Sequence, residues 1–193
     1  MLHDKEGDVV NHGFIRRAAV VLVLGTAMPA AARAEVLRFA FGQATLPGDH
    51  WNVFKTDDGQ PTAVRTLSAT QFEVATIRVV PVTGDAALGP RLEELRQSLL
   101  GPRKNLVYFE AFPWQTAGLD CLFYQAIRRD VPPYDAPQAP WLDRHAGAIC
   151  AAPAHSARLE MDMILRATLA DPDYIHQATD AEDLFDSLTL HDG

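Results

Sequence analysis

The histidines of this chain are not spaced like the ligands of a metal site. Those beyond residue 34 are His50, His145, His155, His176 and His191. None belongs to an H-x-x-x-H or H-E-x-x-H pattern, which would present two imidazoles on one helix face to a zinc ion. His145, Cys150 and His155 come nearest to a cluster, but a metal there would compete with a disulfide for Cys150. We predict no metal site.

The serines and the paired carboxylates also lack the surroundings of a known catalytic motif. No serine lies in G-x-S-x-G, the strained turn of the α/β-hydrolases. The chain contains neither a phosphate-binding P-loop nor the dinucleotide motif G-x-G-x-x-G. We predict that the protein is not an enzyme and holds no cofactor. The alternative is a hydrolase-type enzyme whose active site the sequence does not reveal.

The two cysteines, Cys121 and Cys150, could form a disulfide, a redox pair or part of a metal site. Redox-active pairs favour the close C-x-x-C spacing, which is absent. In an exported protein the oxidising compartment favours a disulfide. Closing a loop of about 30 residues would stabilise the fold by roughly 3 to 4 kcal/mol on the chain-entropy model. We predict a structural disulfide between these cysteines.

The N-terminal segment has the layout of a secretory signal. Arg16 and Arg17 precede an apolar run over residues 18–28, and small side chains at Ala32 and Ala34 follow it. The run is shorter than the roughly 20 residues that span a bilayer. We predict a cleaved signal peptide at 1–34, a single domain at 35–193, and a periplasmic or secreted protein. The arginine pair leaves open whether export takes the general or the twin-arginine route.

The charge balance limits the classes of partner. The whole chain has a net charge of −8. Without residues 1–34, which hold four of the 17 basic and three of the 25 acidic residues, the net charge is −9. Nucleic acids and anionic membranes are held largely by Lys and Arg. We therefore predict no nucleic-acid partner, and membrane contact only through the signal peptide during export. The oligomeric state stays open.

Several segments have the periodicity of strands. Leu37, Phe39 and Phe41 alternate with other residues in a stretch that begins at Val36. Asp58-Gly59 predicts a hairpin turn between "HWNVFK" and "TAVRTLS", and "QFEVATIRVVPV" is rich in β-branched residues. "NLVYFEAFPW" and "LDCLFYQAIRRD" are predicted strands as well. "ARLEMDMILRAT" alternates apolar and charged residues, with only Ile164 out of step, which indicates an antiparallel strand with one wet face.

Two helices complete the predicted fold. In the segment after Gly84, leucines recur at helical spacing until Gly101-Pro102 ends the pattern. Near the C-terminus, Thr179 and Glu182 are spaced as a capping box. We predict the α+β class, with an antiparallel β-sheet flanked by an amphipathic helix and a short C-terminal helix.

The order of these elements resembles that of the PsbP-like α/β sandwich. The residues that carry the resemblance are the hairpin around "LPGDHW", the strand "GLDCLFY", the late strand "ARLEMDMILRAT" and the final helix ending "LFDSL". The resemblance covers most of residues 36–190, although neither the cysteine pair nor the proline-rich segment at 130–142 belongs to that pattern. It implies an antiparallel sheet flanked by helices and a mostly noncatalytic role, as in extrinsic photosystem subunits, a small-GTPase release factor and small exported bacterial proteins.

These observations predict an exported, noncatalytic protein of the bacterial envelope. It would act as a binding or accessory module for another envelope protein or a small ligand, through its sheet face or a proline-rich flap. A purely structural surface protein is the third alternative, after the binding module and the enzyme. Aromatic residues are enriched at contact surfaces. The candidate binding residues are Trp51, Trp114, Pro132, Pro133, Tyr134 and Trp141.

Overall fold

The computed structural model describes residues 34–83, 87–100, 104–130, 141–168 and 177–191. The predicted signal peptide lies outside these ranges except for Ala34, and so does most of the proline-rich segment. In the described part of the chain, no helix is long and apolar enough to cross a membrane.

Strands dominate the described structure. In chain order the elements are β1 (Val36–Phe39), β2 (Gly42–Thr45), β3 (Asn52–Lys55), β4 (Pro61–Ser68), β5 (Gln71–Pro81), α1 (Leu88–Ser98), β6 (Lys104–Thr116), β7 (Leu119–Asp130), β8 (Trp141–Ala152), β9 (Ala157–Thr168), α2 (Gln177–Asp186) and β10 (Thr189–Leu190). The strands form a seven-stranded sheet in the order β3-β4-β5-β9-β8-β7-β6 and a three-stranded sheet in the order β1-β2-β10. All the strand pairs are antiparallel.

Strand β9 shows how the large sheet acquires two different faces. Its residues alternate strictly between buried and half-buried positions, as the sequence period of two predicts. The core face carries Leu159, Met161 and Met163, which are almost fully buried. The outer face carries polar side chains such as Glu160 and Asp162. The charged face of this strand is thus confirmed, but half of each side chain's surface or more is covered by neighbours.

The core face is covered by the small sheet together with α2. Leu37 from β1 and Ala44 from β2 join the buried cluster, and Leu184 and Phe185 from α2 enter the same cluster. The hydroxyl of Thr116 donates a hydrogen bond of 2.8 Å to the backbone oxygen of Phe185, which attaches the end of α2 to the end of β6. The core is therefore built between two sheets and a helix.

This architecture corrects the predicted fold class. Strands make up 62% and helices 16% of the structure, so the class is β-rich and not α+β. The predicted class missed the second sheet, which covers much of the core face, although α1 and α2 do pack on the large sheet. Strands β5 to β9 are also long, with 11 to 13 residues each, whereas α1 has 11 residues and α2 has 10.

Several local predictions are confirmed. The hairpin about Asp58-Gly59 joins β3 to β4, and the segment from Gln71 is the well-covered strand β5. Helices lie at both predicted places and pack on the large sheet. The stretch from Val36, in contrast, is not one strand but the hairpin β1-β2, with Phe39 paired to Gly42.

Strand β6 forms one edge of the large sheet. Within the described ranges its 13 residues pair with β7 alone, with a register shift between Leu106 and Tyr108. Val107, at this bulge, is 62% exposed. Pro113 pairs with Leu122 further along, a position compatible with an edge because proline cannot donate a ladder hydrogen bond.

Candidate functional site: a cleft beneath helix α1

A cleft of about 350 Å³ lies between α1 and the outer face of the large sheet. We call it the α1 cleft. The helix contributes two charged or polar side chains and two leucines, and the sheet contributes the remaining wall. The lining residues are Thr76, Arg78, Arg91, Leu95, Ser98, Leu99, Tyr124, Arg128, Ala148, Ile149, Glu160, Met161 and Asp162.

An ion pair holds α1 on the sheet. The Nε and Nη2 atoms of Arg91 donate to the two carboxylate oxygens of Glu160 at 2.8 and 2.9 Å, a bidentate arrangement. Arg158 donates a further bond of 2.9 Å to Glu160. Burial disfavours the charged form of Glu160, but the bonds from Arg91 and Arg158 outweigh it and lower the pKa of this carboxyl. Glu160 is therefore a structural anion with its partners in place.

Tyr124, Gly147 and Asp162 lie opposite one another on three neighbouring strands, β7, β8 and β9. A Cβ atom on Gly147 would come within 2.3 Å of the hydroxyl and of Cζ of Tyr124. The absent side chain thus gives the tyrosine ring room to lie across β8 toward Asp162. Burial, the charge of Asp162 and a hydrogen bond with it raise the pKa of Tyr124 well above its ordinary value. The phenol therefore stays protonated.

His145 is the neighbour of Gly147 on the same face of β8. Its Nδ1 atom lies 3.0 Å from Oδ2 of Asp162. The imidazole is almost fully buried, and its Nε2 atom has no hydrogen-bond partner. The side chains of His145 and Tyr124 thus both contact the carboxylate of Asp162, although His145 does not line the cleft.

A second row of charges crosses the same three strands. Arg128, Asp143 and Arg166 lie opposite one another on β7, β8 and β9. Both arginines donate to the buried carboxylate of Asp143, Arg166 through Nη2 at 2.9 Å. Burial raises the pKa of Asp143, but the hydrogen bonds from Arg166 and Arg128 outweigh it, and the pKa ends below its ordinary value. The Nε atom of Arg128 is buried without a partner.

Unpartnered buried polar atoms concentrate around this cleft. Four such side-chain atoms occur in the described structure, and three are Arg128 Nε, His145 Nε2 and Asp162 Oδ1. Buried polar groups are almost always hydrogen-bonded, so each exception calls for a cause, such as water or a ligand. A cavity of about 410 Å³ beside β1 and the β3-β4 hairpin, lined by Arg38, Lys55 and Asp58 among others, contains none of these atoms. The α1 cleft is therefore the candidate site.

The predicted tryptophan sites lie apart from this cleft. Trp51 is buried; its Nε1 donates 2.8 Å to the oxygen of Pro47, and the guanidinium of Arg65 stacks on its ring at 4.6 Å. Trp114 packs edge-on against Phe123 and Phe185 at the core. Trp141, half-buried on the outer face, pairs with Phe72. The structure does not bring the three tryptophans together, and Pro132, Pro133 and Tyr134 lie outside the described residues.

The cysteine prediction is confirmed. Cys121 and Cys150 face each other on β7 and β8 and form a buried disulfide on the core face. His145 lies on the opposite face of β8, so the spacing of His145, Cys150 and His155 does not form a cluster; the ring of His155 stacks on Phe41 instead. Within the described ranges, no three His, Cys, Asp or Glu side chains are grouped to hold a metal ion.

Sequence reasoning missed the residues of the α1 cleft because they come from five separate segments. Two signals were available. The polar face of "ARLEMDMILRAT" holds Arg158, Glu160, Asp162 and Arg166, and such a row could be recognised as more than a solvated face only with the neighbouring strands known. The lone Gly147 within an apolar strand was a second signal, since such a glycine often marks a close approach.

Comparisons with known proteins add little to this geometry. No protein-family model matches the chain, and no curated protein is significantly similar to it. Among solved structures, it is similar to a protein of Bacteroides thetaiotaomicron determined at 1.50 Å resolution, with a TM-score of 0.43 and 12% identity. The match covers 78% of this chain and 45% of that chain, so this chain spans less than half of that protein. A similarity of this extent carries no functional argument, and the PsbP-like resemblance stays a prediction.

Proposed function

We propose that this protein is a noncatalytic binding module that takes a small polar ligand into the α1 cleft. The observation that carries the proposal is the cleft itself, about 350 Å³ of space between α1 and the sheet with charged side chains such as Arg128 and Asp162 on its walls. The cleft is of the size that small ligands occupy.

We also propose that the module works outside the cytoplasm, in the periplasm or after secretion. The buried disulfide supports this location because such bonds persist in oxidising compartments. The predicted signal peptide at 1–34 is consistent with it. An envelope protein remains a second kind of partner under the same proposal.

A hydrolase-type enzyme is the second candidate, and the contact of His145 with Asp162 is the observation that favours it. A general base, however, must lie within hydrogen-bond reach of the proton it removes. The Nε2 atom of His145 is buried and has no partner, and the residue does not line the cleft. The binding module is therefore the better-supported function.

A cleft-filling variant tests the proposal. Ser98 lines the cleft from α1, and Ser98→Trp would place a bulky ring there. Gln97→Trp is the matched control because Gln97 is exposed on the same helix and does not line the cleft. Protein chemical shifts would be followed by NMR during titration with a panel of small carboxylic acids, amino acids and monosaccharides.

We expect at least one compound to perturb amides of α1 and of the outer face of β7 and β9 in the wild type and in Gln97→Trp, but not in Ser98→Trp. Thermal unfolding would establish that both variants are folded. Binding that survives in a folded Ser98→Trp variant, or no binding by any compound, would overturn the proposal.

A further inference from the structure

We infer that the protein has a second binding site, separate from the α1 cleft, for a small carboxylate with an apolar chain, such as a short- or medium-chain fatty acid. The site is the cavity of about 410 Å³ beside β1 and the β3-β4 hairpin, which we call the hairpin cavity. It lies between the small sheet and the edge of the large sheet at β3, and it shares no lining residue with the α1 cleft.

One part of the wall of the hairpin cavity is apolar. Phe39 from β1 and Val79 from β5 line it; both side chains are half-buried and pack against the core cluster. Ala40, at the turn after β1, adds an exposed methyl group. Pockets for small molecules are lined mostly by such side chains, with a few polar groups that fix the orientation of the ligand. The hydrophobic effect therefore favours an apolar chain in this part of the cavity.

The polar part of the wall carries two cations without partners. Arg38 from β1 and Lys55, the last residue of β3, line the cavity and are exposed. Within the described ranges, neither side chain makes a hydrogen bond or an ion pair. By contrast, Arg91 and Arg128 at the α1 cleft are each bonded to a carboxylate. Arg38 and Lys55 can therefore both donate charge-assisted hydrogen bonds to an anion.

The third charged residue of the cavity is Asp58, in the turn of the β3-β4 hairpin. Its carboxylate accepts hydrogen bonds from the hydroxyl of Thr56 and the side-chain amide of Gln60. The bond from Thr56 lowers the pKa of Asp58, which therefore stays ionised at neutral pH. Two basic residues and one acidic residue give the wall a net charge of +1. The hairpin cavity is thus locally cationic, although the net charge of the chain is −8.

These two features together define the class of ligand. The carboxylate is expected between Arg38 and Lys55, and the apolar chain is expected against Phe39 and Val79. The volume lies toward the small end of the range for ligand pockets, which suits a free acid with one short chain. An amine of the same length would bring its charge to two cations, so it should bind least well.

A series of acids tests the inference on the wild-type protein. Butanoate, hexanoate and octanoate would be titrated by isothermal calorimetry, with hexan-1-ol and hexylamine as the neutral and cationic analogues of hexanoate. We expect the affinity to rise about two- to fourfold with each methylene group. Hexanoate should bind at least about threefold more tightly than hexan-1-ol, and hexylamine should bind more weakly than both. At an ionic strength of about 1 M, where charges are screened within about 3 Å, the advantage over hexan-1-ol should disappear.

Charge variants locate the carboxylate. Arg38→Gln and Lys55→Gln should each weaken hexanoate about two- to fivefold and leave hexan-1-ol unchanged, as expected for exposed charges. Asp58→Asn should have the opposite effect and tighten hexanoate. Arg129→Gln is the matched control, because Arg129 is exposed on β7 and does not line the cavity. All four side chains are exposed, so these substitutions leave the core intact.

The outcomes separate this site from the α1 cleft. Hexanoate should bind the folded Ser98→Trp variant as tightly as the wild type, since Ser98 lines only the α1 cleft of the two. Loss of hexanoate binding in that variant would assign the acid to the α1 cleft and overturn the inference while supporting the proposed function. Equal affinity for hexanoate and hexan-1-ol, equal losses in Arg129→Gln and in the two cavity variants, or no binding by any acid would overturn the inference alone.

Discussion

The close approach of Tyr124 to Gly147 makes the substitution Gly147→Ala a direct test of the site's geometry. A Cβ atom there would lie 2.3 Å from Cζ and from the hydroxyl of Tyr124 and 2.6 Å from the oxygen of Met161. Ordinary carbon contacts are about 3.5 to 4.0 Å. The ring must move by more than an ångström, and its contact with Asp162 is then lost.

Two costs add to the expected destabilisation. Overpacking a buried site costs typically about 1 to 3 kcal/mol, and a buried hydrogen bond left unmade costs about 1 to 3 kcal/mol. We therefore expect Gly147→Ala to lower the free energy of unfolding by about 2 to 6 kcal/mol. Urea denaturation followed by tryptophan fluorescence would measure it. Gly89→Ala is the matched control: nothing lies within 4 Å of that position on α1, and alanine in a helix is favoured over glycine by up to about 1 kcal/mol.

A double-mutant cycle identifies the ring as the cause. A Tyr124→Ala background removes the two shortest of the three nearest contacts and leaves that with the oxygen of Met161, so Gly147→Ala should cost at least about 1 kcal/mol less than in the wild type. An equal cost in both backgrounds would show that the tyrosine does not occupy the space over Gly147. A loss in the wild type no larger than that of the control would refute the geometry as a whole.

Three further predictions concern the disulfide and the titrating groups. Reducing the bond between Cys121 and Cys150, 29 residues apart, should lower the free energy of unfolding by about 3 to 4 kcal/mol in urea, whereas an unchanged midpoint would contradict a structural role. Because the pKa of Asp143 is lowered by folding, its contribution to stability is present above the unfolded pKa and is lost as the pH falls through the folded one. Asp143→Asn should therefore flatten the decline of stability below about pH 4, and an identical slope would argue against the two arginine bonds. The pKa of Tyr124 is raised by folding, so its contribution to stability is present below about pH 10 and is lost as the pH rises through the folded pKa. Tyr124→Phe should therefore flatten the decline of stability at alkaline pH. In a spectroscopic titration, this variant should show one phenol fewer with a delayed transition than the wild type.

Local sequence patterns predicted most individual elements. Strict alternation identified β9, and β-branched residues identified β5, because both strands place every second residue in one continuous core. The hairpin between β1 and β2 was missed because its turn at Ala40 and Phe41 lacks the usual turn residues. Gly42 was the one local signal, and its reason is tertiary: a Cβ there would come within 2.5 Å of the ring of Phe39.

Strand β8 illustrates a limit of propensity. The sequence patterns do not identify it as a strand, since alanines at 146, 148 and 152 have little preference for strands. In the structure these small residues lie on the core face, between the larger side chains of β7 and β9. Small side chains fit here because β7 and β9 leave little space between them on the core face. A single sequence does not show how much space neighbouring strands leave.

The α1 cleft could not be predicted because it depends on which strands are neighbours. Asp162 on β9 and Tyr124 on β7 are 38 positions apart in the sequence. They meet because both strands pair with β8 and the register places both residues opposite Gly147. A shift of one residue would send every one of these side chains to the other face. The sequence shows the types of these residues, but it does not show which of them lie opposite one another across the sheet.

The proline in the edge strand bears on how this chain behaves at high concentration. A long, exposed edge with apolar side chains such as Val107 is a template for pairing with other molecules, and therefore for aggregation. At Pro113 an incoming strand would meet a residue with no N–H group, and at the bulge beside Tyr108 it would meet a break in the register. Uninterrupted pairing is thus confined to the few residues between these two points. The edge thus offers other chains only a short stretch to add to, which limits aggregation of the protein at high concentration.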